Sequence, residues 1–340
     1  MTLALLFACT SSGNQGTQGE ETQKPKIELI EKPSEEKVEV LIEGKLFTSY
    51  IYPENIKKPA LWPLISQGGN ELTRQFPFKK KEGERVDHPH HVGLWLNYGD
   101  VNGLDFWNNS DSIDSEKMSE YGMVKHAKVL STENGDEAVL KVQSDWVSMD
   151  GKKLLNDETT FTFKVVDGVR IIDRKTVLTA VGEKVTFTDN KEGMLGVRMA
   201  RELELPQEGK IELSDAKGNI TVVENPDNTG VTGNYLSSEG ITGGDVWGTR
   251  ADWMKLSGQI NGESVALVIY DTKDNPGYPT YWHARGYGLF AANPLGQKIF
   301  SEGKEELNFA LEAGESATFY HRIGIFSEDP SPEKIEMYQP

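Results

Sequence analysis

The 340-residue chain has one cysteine, Cys9, so no disulfide can close within it. No apolar run approaches the ~18 consecutive residues that a membrane-spanning helix needs. Positive charge is in the minority: 36 Lys and Arg against 53 Asp and Glu give a formal net charge of -17, spread along the chain. That balance argues against nucleic acid and against a polybasic membrane-binding face, and it leaves a neutral ligand such as a sugar open. A phosphate-cradling glycine loop and a Gly-x-Ser-x-Gly elbow are both missing, which sets aside nucleotide chemistry and α/β-hydrolase-type serine chemistry. Helix-period segments of ten or more residues are scarce.

Alternation at period two is what the chain has in quantity. Lys37 to Tyr52 reads as one or two strands, with Val38, Val40 and Ile42 on one face. Glu137 to Val147 alternates after the turn Glu133-Asn134-Gly135-Asp136. Thr159–Val166 and Val169–Thr179 flank Asp167-Gly168, a two-residue hairpin signal. Turn signals recur at Lys217-Gly218-Asn219, Asn261-Gly262 and Ala313-Gly314-Glu315, and Ser316 to Phe326 forms a last alternating strand. One short helix is expected after Asp329-Pro330-Ser331-Pro332, from about Glu333 to Tyr338. The expectation is an all-β fold, a large antiparallel β-sandwich over residues 27–340 as one domain. A break near Pro206 to Lys210 is the alternative, although the composition does not change there.

The first residues carry an export signal. Thr2 to Ala8 are mostly apolar, Leu6-Phe7-Ala8 precede Cys9, and a polar tract follows. This pattern matches a bacterial lipoprotein cleavage site, with residues 1–9 as the signal remnant, Cys9 as the lipid attachment point and residues 10–26 as a flexible tether. The expected location is periplasmic or outer-membrane, with membrane contact through the lipid only. No basic segment precedes the apolar run, which places the expected start upstream of Met1. The competing reading is a buried cysteine in a polar tail.

Chemistry-bearing residues concentrate in two stretches. The first contains Arg74, Asp87-His88-Pro89-His90-His91, Trp95, Asn102, Asp105 and Trp107, so three of six histidines lie within four residues. An extended backbone would put His88 and His90 on one face and His91 on the other. Three readings compete here. His88 and His90 could supply two ligands to a divalent metal, with His283 as a distant third. Alternatively, Asp87 orients a histidine for acid–base work. In the third reading, a polar network simply holds a loop. The second stretch contains Tyr281-Trp282-His283-Ala284-Arg285, Tyr287 and Asn293. Rings beside Arg, His and Asn suit a sugar, whose apolar face stacks while its hydroxyls are read by directional groups. Alternation would put Tyr281, His283, Arg285 and Tyr287 on one strand face, with Trp282 and Phe290 in the core. A weaker third candidate holds Glu192, followed by Arg198. Glycosidic chemistry uses paired carboxylates, and Glu192 could pair with Asp87, Asp100 or Asp105.

Together, Leu72-Thr73-Arg74, Asp87 to His91, Gly93-Leu94-Trp95, Gly99 to Trp107, Lys191 to Arg198 and Pro279 to Pro294 resemble a bacterial family of unknown function, DUF6807. The family is also labelled "methane oxygenase PmoA" or PmoA-like. The resemblance spans roughly residues 35 to 328. A membrane methane monooxygenase subunit would be expected to carry several transmembrane helices, for which this chain has no segments. The resemblance instead implies a companion of sugar catabolism with a galactose-mutarotase-like super-sandwich fold, in which a sheet face binds sugar. One departure is Gly286, where an acidic residue is expected to follow the Arg, so Arg285 is expected to lack a local ion-pair partner.

The leading expectation is therefore an exported carbohydrate-active enzyme, working by hydrolysis, elimination or epimerisation. His88, His90, His283, Glu192 and Asp87 are its candidate acid–base groups. Arg74, His91, Trp95, Asn102, Trp107, Arg198, Tyr281, Arg285, Tyr287 and Asn293 are its candidate sugar-binding residues. No cofactor is expected beyond the metal alternative at His88 and His90. The other two readings are a non-catalytic glycan-binding lipoprotein and a metal-dependent enzyme.

Overall fold

In the computed structural model, Met1, residues 24–214 and residues 219–340 are described; Cys9, the tether up to residue 23 and the Lys217-Gly218 turn lie outside them. No helix among the described residues is long and apolar enough to cross a membrane.

The strands, in chain order, are β1 (Ile27–Lys32), β2 (Lys37–Ile42), β3 (Lys45–Ile51), β4 (Ala60–Leu61), β5 (Leu94–Tyr98), β6 (Gly122–Glu133), β7 (Glu137–Ser148), β8 (Lys153–Val166), β9 (Val169–Ala180), β10 (Val185–Thr186) and β11 (Gly193–Arg198). There follow β12 (Ile211–Ser214), β13 (Ile220–Val223), β14 (Asn234–Ser237), β15 (Trp253–Ile260), β16 (Glu263–Tyr270), β17 (Tyr281–Ala284), β18 (Leu289–Asn293), β19 (Ala310–Leu311) and β20 (Ser316–Phe326). Two eight-stranded antiparallel sheets dominate. The first runs β1-β2-β3-β4-β5-β11-β18-β17, and the second runs β14-β15-β16-β20-β9-β8-β7-β6. The all-β, large antiparallel reading is thus what the chain adopts.

The period-two pattern explains the layering. In β2 and β7, buried residues alternate with more exposed ones, so each strand gives one face to the core. Val38 and Val40 from the first sheet join Leu140, Trp146, Phe161 and Ile172 from the second in one apolar cluster between the sheets. At Asp167-Gly168 both residues have positive φ, 48° and 82°, as a tight hairpin between strands β8 and β9 requires. The short C-terminal helix spans Pro332–Glu336, with the Ser331 side chain accepting from Lys334 N. It places Ile335 in a second apolar cluster with Trp253, Tyr270 and Phe326.

The centre of the first sheet differs: every residue of β5, β11, β17 and β18 is buried. These strands are covered on both faces. Leu94, Leu96, Leu195, Val197, Phe290 and Trp282 point into the inter-sheet core. Trp95, Ala291 and Leu289 point the other way, into a separate cluster with Ile51, Ala60 and Trp107. The site lies on this outer face.

Candidate functional site

The strand register builds the floor. One row of directly paired residues crosses six strands: Ile51, Ala60, Trp95, Gly196, Ala291 and His283. Small residues separate the large ones. A Cβ on Gly196 would lie 2.7 Å from the Trp95 ring and 2.8 Å from that of Trp107, so only glycine lets both indoles lie against β11. Trp95 donates through Nε1 to Asn97 Oδ1 at 3.0 Å, and Asn97 in turn donates to Phe106 O. Across three strand spacings of roughly 4.8 Å, the same row ends at His283.

Onto this floor folds the connection of residues 62–93, and Arg74 is its clasp. Its guanidinium donates to the carbonyls of Asp87 (2.8 Å), His88 (2.8 Å) and His91 (3.0 Å), and to Asp87 Oδ1 (3.0 Å). Residues 87–91 therefore curl instead of extending. His91 N donates to His88 O, and His88 has a φ of 43°. The expected split of the three histidines between two strand faces is corrected by this turn, which gathers all three. His88 stacks on His91 at 4.8 Å and on Tyr287 at 5.4 Å. His91 stacks on Trp95 at 5.3 Å, and His90 meets His91 edge-on at 4.4 Å.

Asp87 is the electrostatic centre. Its Oδ1 accepts from both Arg74 and Arg198 at 3.0 Å, and its Oδ2 lies 3.2 Å from His88 Nδ1. Burial alone would raise this carboxyl, but the His88 ring, Arg198 and Arg74 outweigh it and hold it well below the usual range. Burial and the neighbouring Arg198 pull Arg74 down to about 9, which leaves it charged at neutral pH. Burial likewise pushes His90 and His91 well below ordinary histidine values, helped by Lys58 at the first and by His90 and Arg198 at the second. Both are neutral at pH 7. His88 differs in exposure: its side chain is 34% accessible, while Nδ1 is buried beside Asp87 without an aligned hydrogen bond, so the edge carrying Nε2 faces outward.

A second imidazole stands at the far end of the row. Nδ1 of His283 bonds the Lys191 carbonyl at 2.7 Å and lies 3.7 Å from Glu192 Oε2. Burial pushes His283 down to about 4 against the opposing pull of Glu192. The ring is neutral at pH 7, with Nδ1–H donating and Nε2 unpaired. Asn293 holds the carrying loop by donating to the carbonyls of Asn190 (2.8 Å) and Lys191 (3.0 Å). Tyr287, stacked on His88, has the Arg198 guanidinium 4.8 Å from its ring. Burial raises its phenol; Arg198 and Arg285 lower it, and Glu192 and Asp87 raise it.

Several expected contacts are corrected. Arg74 and Arg198 are 1% and 0% exposed and bond Asp87, His91 and the 85–91 backbone, so in this structure they position groups and present no accessible edge. Trp95, Trp107 and His91 are buried beneath His88, forming a platform. Asn293 is a loop clamp. Asn102 sits in a turn (φ 53°), donating to Lys184 O and accepting from Thr186 N, apart from the histidines. Tyr281 lies under Arg250 and against Phe300, its hydroxyl donating to Glu305. The predicted single strand from Tyr281 to Tyr287 ends at Ala284; residues 285–288 form a turn closed by Gly288 N to Arg285 O. Trp282 and Phe290 are core residues, as expected. The accessible set is thus His88, Tyr287, Arg285 and Glu192, with His283 at its edge.

Lys58 was not foreseen. It is 2% exposed, donates to His90 O and lies 5.3 Å from the Trp95 ring. Burial pushes it down to about 7, with Asp105 opposing. In Lys57-Lys58-Pro59 nothing distinguishes it from a surface lysine. Arg85, which bonds Glu204 Oε2 at 3.2 Å, and Trp247, whose ring centroid lies 5.6 Å from the Arg285 guanidinium, carried no local signal either. Among the described residues, no group of three or more His, Cys, Asp or Glu is placed to hold a metal ion.

A family model described as "Family of unknown function (DUF6807)" matches residues 37–339. No characterised protein matches the chain in sequence. Solved structures similar to it include the galactosidase domain of an α-galactosidase–sucrose kinase, AgaSK (9% identity, TM-score 0.41, 88% of this chain and 42% of that one). Another is a β-arabinopyranosidase (10%, 0.31, 91% and 39%). A third is a galactose mutarotase related enzyme from Lactobacillus acidophilus (9%, 0.34, 89% and 98%). The chain spans about two fifths of the first two.

Proposed function

The chain belongs to the DUF6807 family of unknown function, and from that premise we propose that it is an exported carbohydrate-active protein that works on a sugar by acid–base chemistry at His88. The observation that carries this reading is the Asp87–His88 pair. A carboxylate held ionised by two buried arginines faces Nδ1 of a stacked imidazole whose opposite edge is exposed. At this ion-pair distance the carboxylate stabilises the imidazolium that forms when Nε2 takes a proton, while stacking between His91 and Tyr287 fixes the ring plane. Glu192 and His283 are the second acid–base pair, and Tyr287 supplies a ring on which a pyranose can stack beside Arg285. Export and anchoring through Cys9 belong to the same proposal; Cys9→Ala should release the protein from membranes.

The test is turnover of a sugar by His88→Ala and His283→Ala variants. Removing a working general acid or base lowers kcat roughly 10²–10⁴-fold. Unchanged turnover in both would sink the assignment. Retained binding with no turnover in the parent protein would favour a non-catalytic glycan-binding lipoprotein. Stoichiometric zinc, iron or copper that disappears in a His88/His90 double variant would replace acid–base work with metal-dependent chemistry.

A further inference from the structure

Arg285 stands apart from the other arginines. Each of the remaining eight hydrogen-bonds through its guanidinium to a carboxylate, a carbonyl or a hydroxyl. The Arg285 guanidinium makes no hydrogen bond or ion pair among the described residues, and the residue is exposed. It is nevertheless held in place, 5.6 Å from the centroid of the Trp247 ring and 5.9 Å from that of Tyr287. Trp247 is itself unusual. At 39% it is the one exposed Trp, Tyr or Phe among the described residues, braced from below by Phe300 at 5.5 Å.

Three carboxylates of this face are already engaged. Asp87 is shared by Arg74 and Arg198, Glu204 is bonded by Arg85, and Glu192 is paired with Lys191. In a chain of net charge -17, an exposed arginine that has no ion pair among the described residues and lies beside two rings is suited to an anion. The two rings lie at cation–π distance from the guanidinium while its N–H groups make no hydrogen bond among the described residues, an arrangement that suits capture of an oxyanion.

We propose that Arg285, bracketed by Trp247 and Tyr287, is the anion subsite of this face and that the ligand is an acidic sugar bearing a carboxylate or a sulfate ester. The inference rests on the sugar reading above and names its substrate class. Arg285 binds the oxyanion, Trp247 and Tyr287 cover the apolar face of the ring, and His88 faces the remaining sugar atoms.

Calorimetric titration of the full chain against matched methyl glycosides tests this, using neutral, uronate and 6-sulfated forms in the gluco, galacto and manno series. In at least one series an acidic form should bind about tenfold or more tightly than its neutral partner, with the advantage shrinking as salt rises. Uronate against sulfate identifies which oxyanion is read. Arg285→Gln should reduce the acidic-over-neutral ratio below about twofold, and Arg285→Lys should keep part of it; an unchanged unfolding temperature shows that each variant is folded. Equal binding of neutral and acidic forms, or a ratio that survives Arg285→Gln, overturns this inference and leaves the sugar reading standing. No binding by any member overturns both.

Discussion

Replacing Asp87 by alanine should be among the most destabilising single changes on the outer face of the first sheet. The carboxylate is 3% exposed and accepts from two arginines that are themselves 1% and 0% exposed. Arg74 would keep its carbonyl partners, but Arg198 would be left with His91 Nδ1 at 3.2 Å and a repelling neighbour. Breaking a buried pair in this way costs about 3–5 kcal/mol, which for a chain of this size corresponds to roughly 4–7 °C in Tm. Urea and thermal unfolding of Asp87→Ala would measure it. A second change, Arg198→Met, removes the orphaned charge and should recover about 1 kcal/mol or more of the loss in a double-mutant cycle. The pH dependence follows from the depressed carboxyl. Its contribution is fully present above the unfolded aspartate value of about 3.9 and is lost as pH falls from there through the folded value. The gap between parent and variant should therefore be flat above about pH 5 and close in acid. A gap below ~1 kcal/mol at pH 7, or one that widens in acid, would refute the reasoning.

Other outcomes follow from the same geometry. Gly196→Ala pushes a methyl to 2.7 Å from Trp95 and 2.8 Å from Trp107; overpacking of this kind costs about 1–3 kcal/mol, and indole fluorescence should shift with it. An unchanged Tm and emission spectrum would contradict the packing account. His283, held down to about 4 by burial, is neutral in the fold but binds a proton near 6.5 when unfolded. Stability should fall as pH drops from 6.5 towards 4, and less steeply in His283→Gln; parallel curves for the two proteins would contradict it. Lys58, 2% exposed and pushed down to about 7 by burial, should resist an amine-directed reagent in the native fold and label like the other lysines only on unfolding, as peptide mapping would show. Labelling with the ordinary lysine pH profile in the fold would count against its burial.

How much of this was legible in the sequence follows from which interactions are local. Period-two burial and Asp-Gly turn chemistry act within a few residues, so strands β7, β9 and β20 and the β8–β9 hairpin could be read directly. The clustering of Asp87, His88 and His91 was visible as composition, but their arrangement was not. It depends on Arg74 and Arg198 reaching across 13 and 111 positions to a single carboxylate oxygen. Treating residues 87–91 as extended failed because the Arg74 clasp on their carbonyls outweighs strand geometry. Trp95 and Trp107 looked like sugar platforms because ring chemistry is legible and burial is not; Gly196, a century along the chain, closes them in. At Arg285 the sequence signal was the neighbour Gly286, which brings no charge. Trp247, the ring beside Arg285, is distant in sequence and carried no signal.

The most direct test is a thermal-shift screen of the full chain against mono- and oligosaccharides, with and without divalent metals, run in parallel on His88→Ala and His283→Ala. A sugar at 100 times its dissociation constant should add about 2.7 kcal/mol to apparent stability. The account predicts at least one metal-independent sugar hit that weakens in both variants and is turned over by the parent protein. Silence across the sugars, or a hit that both variants retain in full, would contradict it.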